Sequence, residues 1–244
     1  DRALWTAKGL GFYRQGIIDQ HFDARARLGR LIRAVLDDPQ GRKLGFGVSE
    51  DSAMLCDEAT GSFEVLGAGG VYVVDCREAA EEAPPDTPPD TPPGSAPRRE
   101  KGIGGGPIRG VALHFLLPGD RWDAPARRPV FMDKSPLADM APAYALPSPC
   151  ASGPLSPYGE LASFCGRLLF DNDESLLKRD AEGRPYVQGY LIEELEGQSR
   201  GWELRFAKQA GLSSAWLAGD GRVAFEHARI DILPLTIKIS AEYT

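Results

Sequence analysis

The segment Ile17-Ile18-Asp19-Gln20-His21-Phe22, followed by Arg25, Arg27 and Arg30, places an acid, an amide, an imidazole and three guanidinium groups directly behind an apolar pair. A buried strand delivers chemistry to its carboxyl end in this way. His21 is the candidate base, and Glu50, in Gly47-Val48-Ser49-Glu50-Asp51-Ser52, is the candidate carboxylate to orient it. Such a pair fixes the imidazole tautomer and stabilises the imidazolium formed when a hydroxyl is deprotonated. The alternative for His21 is a hydrogen-bonded structural histidine at a strand end. Arg27 and Arg30, spaced i and i+3, can clamp one carboxylate between them. Their alternative is a solvated basic face on an acidic chain.

A nucleophile is harder to find. The one Gly-x-Ser-x-Gly string, Gly197-Gln198-Ser199-Arg200-Gly201, lies between two strand-like stretches, whereas a nucleophile elbow needs a strand before it and a helix after it. It is expected to be a hairpin loop. Ser49 and Ser52 adjoin Glu50 without elbow glycines, and Ser52 is expected at a helix start or turn.

The elements that must position these groups follow from periodicity. Residues 16–22 read as a strand. Residues 25–36 read as a helix, with Leu28, Leu31, Ile32, Val35 and Leu36 on one face, ended by Asp38-Pro39-Gln40-Gly41. On that helix Arg25 falls near the apolar face, Arg27 to one side, and Arg30 with Arg33 away from it. Residues 43–48 read as a second strand, so strand, helix and strand suggest a right-handed βαβ unit of an α/β sheet, with His21 and Glu50 at neighbouring strand ends. Residues 63–66 and 71–75 look like strands paired around a turn at 67–70. Residues 78–106 change to acidic, Pro-Pro-Asp-Thr-repeated and glycine-rich composition, expected to be a disordered insertion. Further strands are expected at 111–117, 186–194, 202–206, 214–217 and 229–239, with a helix at 158–169 and turns at Gly183 and Gly219-Asp220-Gly221. The division expected is an α/β domain over 1–123 and a separate β-rich extension over 124–244.

Bulk composition sets the remaining bounds. The 244 residues, 42% hydrophobic, suffice for a real core and exclude disorder of the whole chain. A formal net charge of −7 argues against nucleic acid or an anionic membrane as partner. Cys56, Cys76, Cys150 and Cys165 show no C-x-x-C spacing and there are three histidines, so neither a metal nor another cofactor is expected. A Cys150–Cys165 disulfide and free thiols in a reducing cytosol both remain open. No stretch approaches the ~20 apolar residues of a membrane-spanning helix, and a cytoplasmic location is expected. The chain opens on Asp1 with no cap or tail ahead of Leu4-Trp5-Thr6, from which a longer natural polypeptide is expected.

At these residues the chain resembles cyanophycinase, of the peptidase family that includes the α-aspartyl dipeptidase E. The resemblance is carried over residues 8–76 by Gly9-Leu10-Gly11, by Asp19-Gln20-His21-Phe22 with Arg25, Arg27 and Arg30, by Gly45-Phe46-Gly47-Val48-Ser49-Glu50-Asp51-Ser52-Ala53, and by residues 67–75. It resumes more loosely over 111–123, where Gly119-Asp120-Arg121-Trp122-Asp123 looks like the family's Gly-Asp-Arg-Phe-Asp. The resemblance implies a parallel sheet similar to class I glutamine amidotransferases, of which this chain would be the carboxyl-terminal part. It also implies a Ser-His-Glu triad that hydrolyses cyanophycin, a poly-aspartate bearing arginine on its side-chain carboxyls, to β-Asp-Arg dipeptides. His21 then matches the general base, Glu50 the triad acid, and Asp19, Gln20, Arg25, Arg27 and Arg30 the substrate pocket, while a homodimer is possible. The family's serine stands upstream of the Asp-Gln-His-Phe element, outside this sequence. Two alternatives accompany this expectation: a non-catalytic relative that binds acidic or aspartyl ligands, and a family peptidase with another aspartyl or isoaspartyl substrate.

Overall fold

A computed structural model describes residues 9–82, 106–147, 150–151, 160–195 and 198–236. The chain begins with β1 (Ile17–Gln20), α1 (Leu28–Leu36) and β2 (Leu44–Val48), and β1 pairs with β2 in parallel. This is the βαβ arrangement that the periodicity suggests. The two glycines of β2 make the packing close. A Cβ at Gly45 would lie 2.8 Å from both Leu31 and Val35 of α1, and one at Gly47 would lie 2.4 Å from the Phe22 ring. The helix starts three residues later than expected. Residues 21–26 form turns in which His21 and Ala26 both sit at φ +50°, and a helix cannot continue through left-handed residues.

The chain then leaves the first sheet. β3 (Ser52–Cys56) and β4 (Phe63–Gly67) form an antiparallel pair, and β5 (Val71–Asp75) returns to lie antiparallel beside β2. Residues 63–66 and 71–75 are therefore not paired with each other. Gly67, at φ +102°, passes so close to Asp51 that an added Cβ would meet its carbonyl oxygen at 2.0 Å, and this corner carries the chain from one sheet to the other. β6 (Ala80–Glu81) pairs with the start of β7 (Ile108–Leu116), so the expected disordered insertion is ordered at residues 80–81; residues 83–105 lie outside the described residues. Ion pairs from Arg33 to Glu81 and from Arg109 to Glu82 hold this short strand in place.

β8 (Arg121–Asp123) and β9 (Arg128–Val130) add a hairpin to β3 and β4, and β10 (Ser135–Pro136) and β11 (Cys150–Ala151) are short edge pieces. The helix at α2 (Glu160–Ser163) runs on into a π-helical turn, Phe164–Phe170, where the Asp171 N–H donates five residues back to the Gly166 carbonyl. Cys165 within it is a free buried thiol, so the Cys150–Cys165 pairing left open by the sequence is not made. β12 (Lys178–Arg179), β13 (Pro185–Leu195), β14 (Gln198–Ala207), β15 (Ser214–Leu217) and β16 (Val223–Thr236) complete the chain, with turns at Gly183 and Gly221, both left-handed.

The β-rich part extends the first sheet, because β16 pairs antiparallel with β7 and the order runs β1, β2, β5, β7, β16, β14, β13, β11. The sheet is thus mixed rather than parallel. β1–β2 has a crossover helix between its strands, whereas β2, β5, β7 and β16 alternate in direction, a geometry that needs no crossover. Alternate residues of β5 feed two cores. Val71 and Val73 pack with Phe46, Phe63, Val65 and Trp122 beneath the small β3-β4-β8-β9 sheet, while Tyr72 and Val74 join α1, the 160–170 helix and the strands of the β-rich part. A strand buried on both faces reads as the continuous apolar run seen here.

Candidate active site

His21 and Glu50 meet. The parallel register of β1 and β2 sets Gln20 beside Val48, so the next residues of both chains emerge at the same sheet edge. The Phe22 N–H donates to the Val48 carbonyl at 3.1 Å, and the Phe22 side chain, fully buried against Gly47 and 5.1 Å from the Tyr72 ring, anchors the turn. With its neighbour pinned inward and its own backbone left-handed at φ +50°, His21 faces outward. Its Nδ1 lies 2.7 Å from both carboxylate oxygens of Glu50. A carboxylate only accepts, so Nδ1 is the donor in this contact, and in the neutral ring Nε2 is the nitrogen left with a lone pair. Nε2 makes no hydrogen bond among the described residues. Both side chains are close to half exposed, so the pair contributes little stability and acts chiefly to orient the ring.

Asp19, 7% exposed, lies one strand residue before Gln20 and receives both predicted clamp arginines. Arg27 donates to it at 2.9 Å and also to the Gln20 carbonyl, while Arg30 forms a two-pronged contact through Nε, at 2.9 Å, and Nη2. The i, i+3 clamp is therefore present, and the carboxylate it holds is an internal one. Arg27 reaches it from the residue before the helix and Arg30 from its first turn. Arg25 and the Gln20 amide are exposed, flank His21 in sequence, and make no side-chain hydrogen bond among the described residues.

No serine hydroxyl among the described residues contacts His21. Ser52 opens β3, rather than a helix or turn, and its hydroxyl donates to the Glu50 carbonyl at 3.0 Å. The Ser49 N–H donates to the Gly70 carbonyl at 3.1 Å. β13 and β14 remain paired down to Leu195 opposite Gln198, so the flanks of the Gly-x-Ser-x-Gly string are both strands, with Ser199 opposite Glu194, and no elbow forms.

Sequence reasoning missed two supports of this edge. Asp23 accepts from the Tyr72 hydroxyl at 2.6 Å, and the Leu161 backbone at the start of the 160–170 helix is near enough to favour its ionised form. Burial raises the Asp23 carboxyl above its ordinary range and, together with the charge of Asp23, raises the Tyr72 phenol well above its own. Arg222 reaches from the turn before β16 to the carbonyls of Ala68 and Gly69, at 2.7 and 3.0 Å, and so braces the loop behind Glu50. Both contacts join residues more than forty positions apart, and only the i to i+2 ion pair of Asp220 with Arg222 left a local trace. Among the described residues no cluster of three His, Cys, Asp or Glu side chains is arranged to hold a metal ion, and no helix is long and apolar enough to cross a membrane.

A histidine held by a carboxylate at the ends of adjacent parallel strands, with its second nitrogen free, can serve as a general base toward a hydroxyl. Comparison with known proteins finds relatives that match part of the chain. Over 74 residues the chain is 45% identical to the cyanophycinases of Synechococcus elongatus and Thermosynechococcus vestitus, a match covering 30% of this chain and 22% of each relative. The cyanophycinase of Trichormus variabilis is 35% identical over 119 residues, 48% of this chain and 34% of the relative. The chain thus spans between about a fifth and a third of the length of the curated relatives it matches. No family model matches it.

Proposed function

We propose that this chain is part of a cyanophycinase-like serine exopeptidase, with the class I glutamine amidotransferase-like fold of that family, acting in the cytoplasm on cyanophycin and releasing β-Asp-Arg dipeptides. The observation that carries the reading is the 2.7 Å contact of His21 Nδ1 with Glu50, which leaves Nε2 open, while Gln20 and Arg25, close by in the chain, have exposed side chains. In this reading Nε2 takes the proton of a serine hydroxyl supplied by the polypeptide upstream of residue 1. Glu50 holds the ring and stabilises the imidazolium, which then protonates the departing amine. Arg25, Gln20 and the exposed donors of Arg30 meet substrate carboxylates, while Asp19 with Arg27 fixes the strand end from which they project.

The test uses the complete polypeptide carrying this sequence. His21→Ala is expected to lower β-Asp-Arg release from cyanophycin by about 10⁴-fold; undiminished release would refute the assignment. The lack of a serine hydroxyl against His21 among the described residues favours a second reading, a relative that binds aspartyl ligands without cleaving them. Retention of cyanophycin with no dipeptide released by the unaltered protein is the outcome that selects it. Hydrolysis of simple isoaspartyl dipeptides in preference to cyanophycin selects the same chemistry with another substrate.

A further inference from the structure

The rim that carries His21 continues across the sheet. Because β2, β5, β7 and β16 alternate in direction, the ends of β1, β2 and β7 and the starts of β5 and β16 all lie at one end of it. There the loop after β7, residues 132–134 and the turn before β16 border an open groove of about 440 Å³. It stands three to four strand intervals from His21, roughly 14–19 Å at about 4.8 Å per interval. The Gly119-Asp120-Arg121-Trp122 string, which the chemistry at His21 leaves unused, builds its floor.

Asp120 is fully buried and accepts from the Leu117 N–H, the Met132 N–H and the Lys134 ammonium at 2.8, 3.0 and 2.7 Å. Lys134, 5% exposed, gives a second donor to the Met132 carbonyl at 3.0 Å, which leaves its third N–H for the groove it lines. Arg121 directs Nε and Nη2 at a single Glu64 oxygen, at 3.1 and 3.0 Å, so its Nη1 and the other Glu64 oxygen are uncommitted. Asp133, left-handed at φ +51°, lines the same groove, and its carboxylate has no partner among the described residues. The free donors and the free acceptors thus face one volume. A simple anion or cation would satisfy one set and confront the other.

We propose that this pocket binds a zwitterionic peptide segment, its carboxylate meeting Lys134 and Arg121 and its guanidinium meeting Asp133 and Glu64, and thereby holds a polymeric substrate away from the cleavage point. The pocket stands on its own geometry; its link to a polymer rests on the peptidase reading. An extended chain of four to six residues, at about 3.3 Å each, covers the distance to His21.

The experiment is equilibrium dialysis of a ten-unit β-aspartyl-arginine oligomer against the complete polypeptide carrying His21→Ala, so that the ligand is not consumed. Arg121→Ala and Asp133→Asn, both at exposed side chains, are each expected to raise the dissociation constant about 5- to 10-fold with the melting temperature unchanged. Arg121→Lys, which keeps the charge, is expected to recover most of the loss. Oligo-aspartate and oligo-arginine of equal length are expected to bind more weakly than the mixed oligomer. Unchanged affinity in the Arg121 and Asp133 variants, equal affinity for an oligomer of one charge sign, or no binding of the mixed oligomer overturns the proposal. Failure of the peptidase reading appears separately, as absence of dipeptide from the unaltered protein, while the dialysis still decides the pocket.

Discussion

In the proposed reading His21 and Glu50 divide the work of one base: the carboxylate, 2.7 Å from Nδ1, would fix which nitrogen holds the proton, and the free nitrogen would do the chemistry. Glu50→Gln keeps the size but offers an amide that can donate to Nδ1, which stabilises the wrong tautomer; dipeptide release is expected to fall about 10²- to 10⁴-fold, measured as kcat/KM on cyanophycin. Asp19 has a structural task beside them. Asp19→Ala leaves Arg27, 17% exposed, and Arg30 without their shared carboxylate, and is expected to cost about 2–3 kcal/mol in denaturant unfolding, less than a fully buried pair because Arg30 is half exposed. An unchanged midpoint would contradict that task. The sequence made the His21–Glu50 meeting legible, because parallel neighbouring strands carry their next residues to one edge. It also made the i, i+3 clamp legible, though not its target: a spacing shows that two arginines can share a carboxylate, and only the register of β1 brings Asp19 between them.

At the scale of elements, Gly47 decides where His21 stands. A Cβ there would lie 2.4–2.6 Å from three atoms of the Phe22 ring, and Phe22 is the residue that pins the turn. Gly47→Ala is expected to destabilise by about 1–3 kcal/mol and to lower kcat in the folded fraction. A variant with a lower melting temperature but full kcat would separate Phe22 packing from catalysis. The α1 face and both first strands follow from their periods, yet the helix start does not. Periodicity is blind to the left-handed residues His21 and Ala26, which hold Arg25 outside the helix. The expected 63–66 with 71–75 pairing failed for a related reason. Both runs have strand character, and the choice of partner was made by β5, whose two faces are both needed in separate cores.

At the scale of the molecule, the β-rich part contributes to the His21 edge chiefly through Arg222 on the carbonyls of Ala68 and Gly69, contacts no local pattern announces. The strands that join the two parts, β7 and β16, also hold the two histidines from which acid sensitivity of the fold is expected. Burial lowers the His114 imidazole to about 3 and also lowers that of His227. For a histidine whose folded value is depressed, the unfolded state binds more protons between the two values. The stability is complete above about 6.5 and is lost as pH falls towards about 3. The unfolding free energy is expected to drop between pH 7 and pH 4 by several kcal/mol, and His114→Phe, with nothing to protonate, is expected to flatten that slope. An identical slope in the variant would show that His114 is not its source. The proposed catalysis requires His21 and Glu50 to act as one unit, and the most direct measurement is a double-mutant cycle on kcat/KM for β-Asp-Arg release by the complete polypeptide. The predicted result is that His21→Ala with Glu50→Gln is no slower than His21→Ala alone, since an orienter has nothing left to orient; losses that simply multiply would contradict it.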